Sequence, residues 1–153
     1  MSTEPHSLPM STGPHTYLVL WRAARAMEAR ALGSIVEVGL GATDFAVLEA
    51  LLHKGPLPVN SLGKKVLLTS GSITTAVDRL VKRKLVARRD YPSDRRIRVV
   101  ELTALGRKLI QPAFARHEAH LEEIVRVLSR AERATLVALL RKLGKAAEGA
   151  ATS

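Results

Sequence analysis

The segment SGSITTAVDRLVKRKLVARRDYPSDRRIRVVEL, residues 70–102, decides the fold of this chain. Its first part, residues 70–82, predicts an amphipathic helix, because its apolar side chains recur at helical spacing: Ile73, Val77, Leu80 and Val81. Its second part has two β-like runs, residues 85–91 and 95–102, on either side of Pro92-Ser93-Asp94. Proline, serine and aspartate are turn residues, so this part predicts a β-hairpin.

The other face of the predicted helix is small and polar, with Ser70, Gly71, Ser72, Thr74 and Thr75. A shorter helix, over about residues 60–67, precedes it across a turn. Helix, turn, helix and hairpin is the order of a winged helix-turn-helix, whose second helix lies in the DNA major groove. Hydroxyls can bind phosphates or base edges, so we expect these residues to contact DNA. The alternative is a serine- and threonine-rich helix start that only caps itself.

The hairpin is unusually basic, with Arg88, Arg89, Arg95, Arg96 and Arg98. One or two charges suffice to protect an edge hairpin from aggregation, whereas arginine fits the negative potential of a minor groove. We therefore interpret the hairpin as a DNA-binding wing rather than a solvated hairpin. Asp94 is expected to brace the wing by holding Arg95 or Arg96 through a bidentate bond. We also expect Arg79 to contact DNA.

Composition narrows the class of protein. A chain of 153 residues with 46% apolar residues can form one domain with its own core. Its net charge of +10 favours nucleic acid as the partner, over an acidic membrane surface or a solvated basic surface without a partner. The absence of cysteine excludes disulfides and thiol chemistry. No apolar run approaches the roughly 20 residues of a membrane span and no signal peptide is visible, so we expect a cytoplasmic protein without a membrane partner.

The remaining sequence predicts a flexible tail over residues 1–15 and a single domain over residues 16–148. The expected DNA-binding lobe spans about 43–102, and helices span about 16–38 and 104–148. Thr43 is expected to cap the second helix, and Pro112 to bend or interrupt the helix that Thr103 caps. Ser129-x-x-Glu132 predicts a capping box for the last helix, which we expect to end at Gly144 and the alanine-rich terminus.

Four strings give the chain a family resemblance: TDFAVL (43–48), VDRL (77–80), DRR (94–96) and LTALG (102–106). In this order and spacing they resemble the MarR family of bacterial transcription regulators. The resemblance implies a mainly α fold with a small β-hairpin, namely a winged helix-turn-helix with terminal dimerisation helices. It also implies a cytoplasmic homodimer that binds a palindromic operator, as a repressor. The apolar rows of the last helix, and Trp21 and Met27 in the first, favour a dimer independently.

Two details refine the resemblance. The run from Gly55 to Thr74 is similar to MhqR-type members, which repress genes for handling quinones and related aromatic compounds. Lys84 stands where the family usually has glycine, and a left-handed backbone there would cost lysine on the order of 1 kcal/mol.

Family members often release DNA when a small aromatic acid or phenol binds between the dimer helices and the DNA lobe. Trp21, Arg25 and Phe45 could line such a site, although the alternative, that both aromatic residues are core residues, is favoured. His117 and His120 have a spacing that could hold a metal ion, but we expect a solvated helix surface and no metal or cofactor. The chain has no phosphate loop, nucleophile elbow or metal motif, so we expect no enzyme. Non-specific architectural DNA binding remains the alternative function.

Overall fold

The structure, a computed structural model, describes residues 12–91 and 93–150, without the side chain of Arg95. The chain divides into two compact units, one up to His117 and one from Glu118. Six helices and three strands follow one another in these residues: α1 (Gly13–Val36), α2 (Ala42–Lys54), β1 (Leu57–Pro58), α3 (Val59–Lys65), α4 (Ser70–Lys82), β2 (Val86–Tyr91), β3 (Asp94–Leu102), α5 (Ala104–Val125) and α6 (Arg130–Ala150). Within the described residues, no helix is long and apolar enough to span a membrane.

Two helix starts differ from the predictions. Residues 13–15, which we placed in the tail, form the first turn of α1, because Thr12 is its N-cap and accepts a bond from the His15 amide. The earlier part of the expected tail, residues 1–11, lies outside the described residues. Gly41, not Thr43, is the N-cap of α2, so the cap predicted at Thr43 is wrong.

The core of the first unit lies between α2, α3, α4, the sheet and the first part of α5. Its largest fully buried side chains are Phe45, Leu48, Leu51, Leu62, Ile73, Leu80 and Ile110. α4 contributes Ile73, Ala76, Val77 and Leu80 from one face, as its apolar spacing predicts. The core thus fixes which face of α4 stays in solvent.

The sheet has three antiparallel strands in the order β1-β3-β2, one more than the hairpin that the sequence predicts. β1 pairs Leu57 with Val100 and Pro58 with Val99. In the hairpin, Arg88 lies opposite Val100 and Asp90 lies opposite Arg98. The additional strand attaches the base of the hairpin to the segment between α2 and α3.

His117 is buried at the junction of α1, α2 and α5, so the expected solvated surface is wrong for this residue. Its Nδ1 lies 3.0 Å from the hydroxyl of Ser34, and its ring contacts Phe45 edge-on, with 4.9 Å between centroids. The His117 ring therefore packs in the core against Phe45. Among the described residues, no group of three or more histidine, aspartate or glutamate side chains could hold a metal ion.

Two residues that were expected to interrupt or end a helix do not do so. α5 continues through Pro112, so the expected interruption is wrong; the proline forfeits one backbone hydrogen bond without ending the helix. In the second unit, the capping box is confirmed, since the amide of Ser129 donates to Glu132 and the amide of Glu132 donates to Ser129. α6 then passes through Gly144 and extends to Ala150 in the alanine-rich segment, the last residue described, so Gly144 does not end the helix as expected.

Candidate nucleic-acid interface

The solvent-exposed face of α4 carries the residues that the sequence predicts to contact DNA. Ser70, Gly71, Ser72, Thr74 and Thr75 are all exposed, directly opposite the buried apolar face. Thr69 is the N-cap and accepts a hydrogen bond from the amide of Ser72. The start of α4 is therefore both fixed to the core and open to a large ligand.

The hydroxyls of Thr74 and Thr75 already have partners within the helix. Thr74 donates to the carbonyl of Ser70 at 2.8 Å, and Thr75 donates to the carbonyl of Gly71 at 3.0 Å. Because the hydroxyl hydrogen is already bonded, each threonine side chain presents only the lone pairs of its oxygen and its methyl group to solvent. These groups suit base donors, such as the amino groups of adenine and cytosine, and the methyl group of thymine.

Arg79 is held by Asp44, which was not among the predicted site residues. Its Nε lies 3.0 and 2.9 Å from the two carboxylate oxygens of Asp44, which is 95% buried on α2. The hydrogen bond to Asp44 and the negative charge of that carboxylate raise the pKa of Arg79 above its ordinary value. About half of the Arg79 side chain remains exposed, so the pair joins α2 to α4 and leaves one edge of the guanidinium in solvent.

Arg88 joins the wing to the same helix. Its Nη2 donates to a carboxylate oxygen of Asp78 on α4 at 2.6 Å, and less than a third of the side chain is exposed. Arg88 lies on the face of β2 that carries Val86, a core residue. α4 is thus tied to α2 through Arg79 and to the wing through Asp78.

Asp94 and Arg96 form the brace expected in the turn of the wing. Asp94 accepts from the backbone amide of Arg96 at 3.0 Å and from its Nε at 3.1 Å. The side-chain bond from Arg96, followed by its backbone bond, lowers the pKa of the Asp94 carboxyl. Arg95 lies in β3, but its side chain is outside the described part of the structure.

Ion pairs also connect the two wing strands. Arg98 lies 3.7 Å from Asp90, directly across the ladder, and Arg89 pairs with Glu101. About seven-tenths of each of these arginine side chains is exposed. Both arginines can therefore reach a ligand without moving the backbone.

The LTALG string has a structural explanation. The hydroxyl of Thr103 donates to the carbonyl of Lys84 at 2.7 Å and accepts from the amide of Gly106 at 2.9 Å. A Cβ on Gly106 would lie 1.9 Å from the carbonyl oxygen of Leu85, so only glycine fits. Lys84 has a φ of 59°, which confirms the left-handed backbone considered for it. These contacts fix the start of α5 against the end of α4.

Two further residues beside α4, Asn60 and Lys64, were not predicted from the sequence. A groove of about 290 Å³ between α3 and α4 is lined by Asn60, Gly63, Lys64, Leu68, Ser70 and Ile73. Asn60 and Lys64 supply donors there that complement an anionic backbone. The Lys64-Lys65 pair was the signal in the sequence, since it follows the apolar face of α3.

The three residues suggested for a small ligand are not brought together as a set. Phe45 is 98% buried against His117, so it is a core residue and does not line a surface site. Trp21 is half-exposed, so the expectation that it is a core residue is wrong for this chain. Arg25, one helical turn along α1, is exposed and pairs with Glu28 at 3.4 Å.

Comparison with known proteins identifies the family to which the chain belongs. The MarR family profile matches residues 40–97. The chain is 39% identical over 128 residues to the HTH-type transcriptional regulator MhqR of Bacillus subtilis, which covers 84% of this chain and 88% of that protein. The protein belongs to the MarR family. The predicted resemblance to the MarR family, and within it to MhqR-type members, is thereby confirmed.

Solved structures agree with this assignment. BpsR of Bordetella bronchiseptica, whose DNA binding is described as regulated by 6-hydroxynicotinic acid, is 30% identical, with a TM-score of 0.75 over 92% of this chain and 98% of that one. A probable transcriptional regulator from Pseudomonas aeruginosa is 31% identical, with a TM-score of 0.66 over 79% of this chain and 93% of that one. This MarR-family chain is a DNA-binding transcriptional regulator with a winged-helix fold, not an enzyme.

Proposed function

We propose that this MarR-family protein is a homodimeric repressor that binds a palindromic operator and releases it when a small aromatic acid, phenol or quinone-like compound binds. The observation that carries the proposal is the polarity of α4, whose exposed hydroxyl face lies opposite a fully buried apolar face. Such a helix can enter a groove without exposing its core residues.

In this proposal, α4 reads bases and the wing binds the backbone. Ser70, Gly71 and Ser72 approach phosphate at the helix start, while Thr74 and Thr75 face base edges. Arg95, Arg96 and Arg98 follow the adjacent minor groove, with Asp94 as the brace, while Arg88, mostly buried beside Asp78, holds the wing against α4. Arg79 acts mainly as a positioning residue, because Asp44 already occupies two of its donors.

The exposed apolar side chains of the terminal helices support a dimer. In α1, Tyr17, Val19 and Trp21 are more than half exposed. In α6, the exposed apolar residues are Leu136, Val137, Leu139, Leu140 and Leu143. Large exposed apolar side chains clustered on a helix indicate an association site, and a two-fold dimer matches the symmetry of a palindromic operator.

The ligand class rests on relatives. BpsR responds to an aromatic acid, and the resemblance to MhqR-type members favours quinones and related aromatic compounds. Trp21 and Arg25 offer an aromatic surface and a positive charge one helical turn apart on α1.

Selection of binding sites from a random pool of DNA duplexes tests the proposal. Wild type is expected to enrich a palindrome, and to bind it far more tightly than scrambled DNA at physiological salt. Thr74→Ala/Thr75→Ala should lose that preference and keep its affinity for scrambled DNA, whereas Thr135→Ala on α6 should behave as wild type. Equal affinity of the wild type for all sequences would favour architectural DNA binding instead.

A further inference from the structure

Every wing arginine whose side chain the structure describes has a carboxylate partner. The pairs are Arg88 with Asp78, Arg89 with Glu101, Arg96 with Asp94 and Arg98 with Asp90. The most basic segment of a chain with a net charge of +10 is therefore largely neutralised by its own acids. A DNA-binding surface that depended only on positive charge would not carry these acids.

The four pairs fall into two kinds. Asp94 holds a backbone amide as well as a side chain, and Arg88 is more than two-thirds buried beside Asp78, so both of these pairs fix local geometry. The pairs of Asp90 and Glu101 involve side chains only, and their arginines are 72% and 70% exposed, although Glu101 itself is only 23% exposed. Neither of these two carboxylates makes a described bond to a backbone amide.

The Arg98–Asp90 and Arg89–Glu101 pairs lie on opposite faces of the hairpin. Asp90 and Arg98 are direct cross-strand neighbours, on the face that carries Arg88 and Val100. Glu101 lies opposite Ala87, and its partner Arg89 is two residues further along the same face. Whichever face of the hairpin approaches DNA, the exposed arginine on that face is already paired with a carboxylate.

We propose that Asp90 and Glu101 are specificity-determining residues that compete with DNA phosphate for Arg98 and Arg89. In the free protein each carboxylate is paired with its guanidinium. When DNA binds, a phosphate must displace the carboxylate, whose negative charge then remains close to the phosphate and repels it. Backbone contacts are thereby weakened for every sequence, so that stable binding depends on the base contacts of α4. The inference rests on the proposed role of the wing in binding DNA. Beyond that role, it assigns to two acidic residues of the wing the function of opposing non-specific binding.

The magnitude follows from the exposure of the two arginines. An ion pair whose guanidinium lies in solvent is weak, so replacing one of these carboxylates by its amide should raise affinity for DNA of unrelated sequence by about two- to fivefold. Both replacements together should give about tenfold. Because these pairs and the repulsion of phosphate are both screened by salt, the gain should shrink at high salt.

The test measures binding of a scrambled duplex by fluorescence anisotropy, at low and at high salt. Asp90→Asn/Glu101→Gln is compared with Glu37→Gln/Glu118→Gln, which changes the net charge equally. Glu37 and Glu118 are exposed, and neither side chain has a partner among the described residues. Thermal unfolding of each variant shows that it is folded, and the single variants serve if the double variant is not.

The proposal expects tighter binding by the wing variant than by the control at low salt, and convergence at high salt. It is overturned if the wing variant binds no more tightly than the control, or binds more weakly, since the carboxylates would then be braces. Because the probe is scrambled DNA, this result stands whether or not the protein recognises a palindromic operator.

Discussion

The guanidinium of Arg79 donates to both carboxylate oxygens of Asp44, and this pair joins α4, the helix proposed to read DNA, to α2. Asp44 is one of two buried polar or charged residues among those described. A buried carboxylate without a partner is costly, whereas an apolar replacement of the whole pair need not be. The pair therefore gives α4 a fixed position relative to α2.

Removing the Arg79 side of this pair should destabilise the protein. We expect Arg79→Met to lower the free energy of unfolding by about 3 kcal/mol, because Asp44 keeps a buried charge without its partner. The double variant Asp44→Asn/Arg79→Met should recover part of that loss. Urea denaturation at a fixed protein concentration measures both, with Lys82→Met as an exposed control on α4. A loss no larger than that of Lys82→Met would show that the pair contributes little.

Gly106 should tolerate no side chain. Because an added Cβ would lie 1.9 Å from the Leu85 carbonyl oxygen, Gly106→Ala must separate α5 from the start of the wing. We expect a loss of about 3 kcal/mol or more, in the range of severe overpacking. Gly144→Ala is the matched control, since nothing lies within 4 Å of its Cβ, and it should stabilise α6 by up to about 1 kcal/mol. Similar stabilities for the two variants would contradict this packing.

The sequence predicts the local features of this molecule and misses the non-local ones. The amphipathic pattern of residues 70–82 and the turn residues after Tyr91 are encoded within one segment each, so α4 and the hairpin were predictable. β1 is only two residues long and exists because β3 lies beside it, which no local pattern indicates. Asp44 meets a partner 35 residues away, and only its helical spacing from Val47 and Leu48 indicated burial.

Helix ends show the same limit. Gly144 and Pro112 were expected to break their helices because each is locally unfavourable. Glycine costs only about 1 kcal/mol inside a helix, and the larger cost of proline, about 3 kcal/mol, is opposed by packing on both sides of Pro112, where Ile110, Ala113 and His117 are buried. For the site, the brace at Asp94 was predictable since its partner is two residues away, whereas the partner of Arg98 depends on the strand register.

Gly71 should separate DNA binding from stability. Nothing in the fold lies within 4 Å of a Cβ at this position, and its backbone φ is not left-handed. Gly71→Ala should therefore leave stability unchanged or raise it by up to about 1 kcal/mol. If the start of α4 approaches the DNA backbone closely, the added methyl should weaken operator binding at least tenfold. Gly33→Ala, an equally open helical position on α1, is the control, and unchanged affinity in Gly71→Ala would remove this close approach from the proposal.

Glu132 should make stability depend on pH. The backbone bond from Ser129, followed by its side-chain bond, lowers the pKa of the Glu132 carboxyl below its unfolded value of 4.5. A carboxyl with a depressed folded pKa stabilises the fold above the unfolded value, and that contribution declines as pH falls through the folded pKa. Wild type should thus exceed Glu132→Gln in urea midpoint at neutral pH, and the difference should vanish in acid. Glu123→Gln is the control, and a gap that persists below the folded pKa would indicate a role other than the charge of the cap.

Trp21 makes ligand binding directly observable, because it is the chain's one tryptophan and half of it is exposed. If an aromatic acid binds beside it, titration with 6-hydroxynicotinic acid and related phenols should change its fluorescence. Arg25 lies one turn away and would bind the carboxylate, so Arg25→Gln should weaken binding by about tenfold or more.

Lys65→Gln is the matched control for Arg25→Gln, since it removes the same charge from a separate groove on α2 and α3. That groove has a volume of about 360 Å³ and is lined by Ala46, Glu49, Ala50, His53, Lys54, Lys65 and Val66. Normal affinity in Lys65→Gln together with weak binding in Arg25→Gln places the aromatic acid on α1. The reverse result would move the ligand to this groove and leave Trp21 to the dimer interface, where its emission should depend on protein concentration instead.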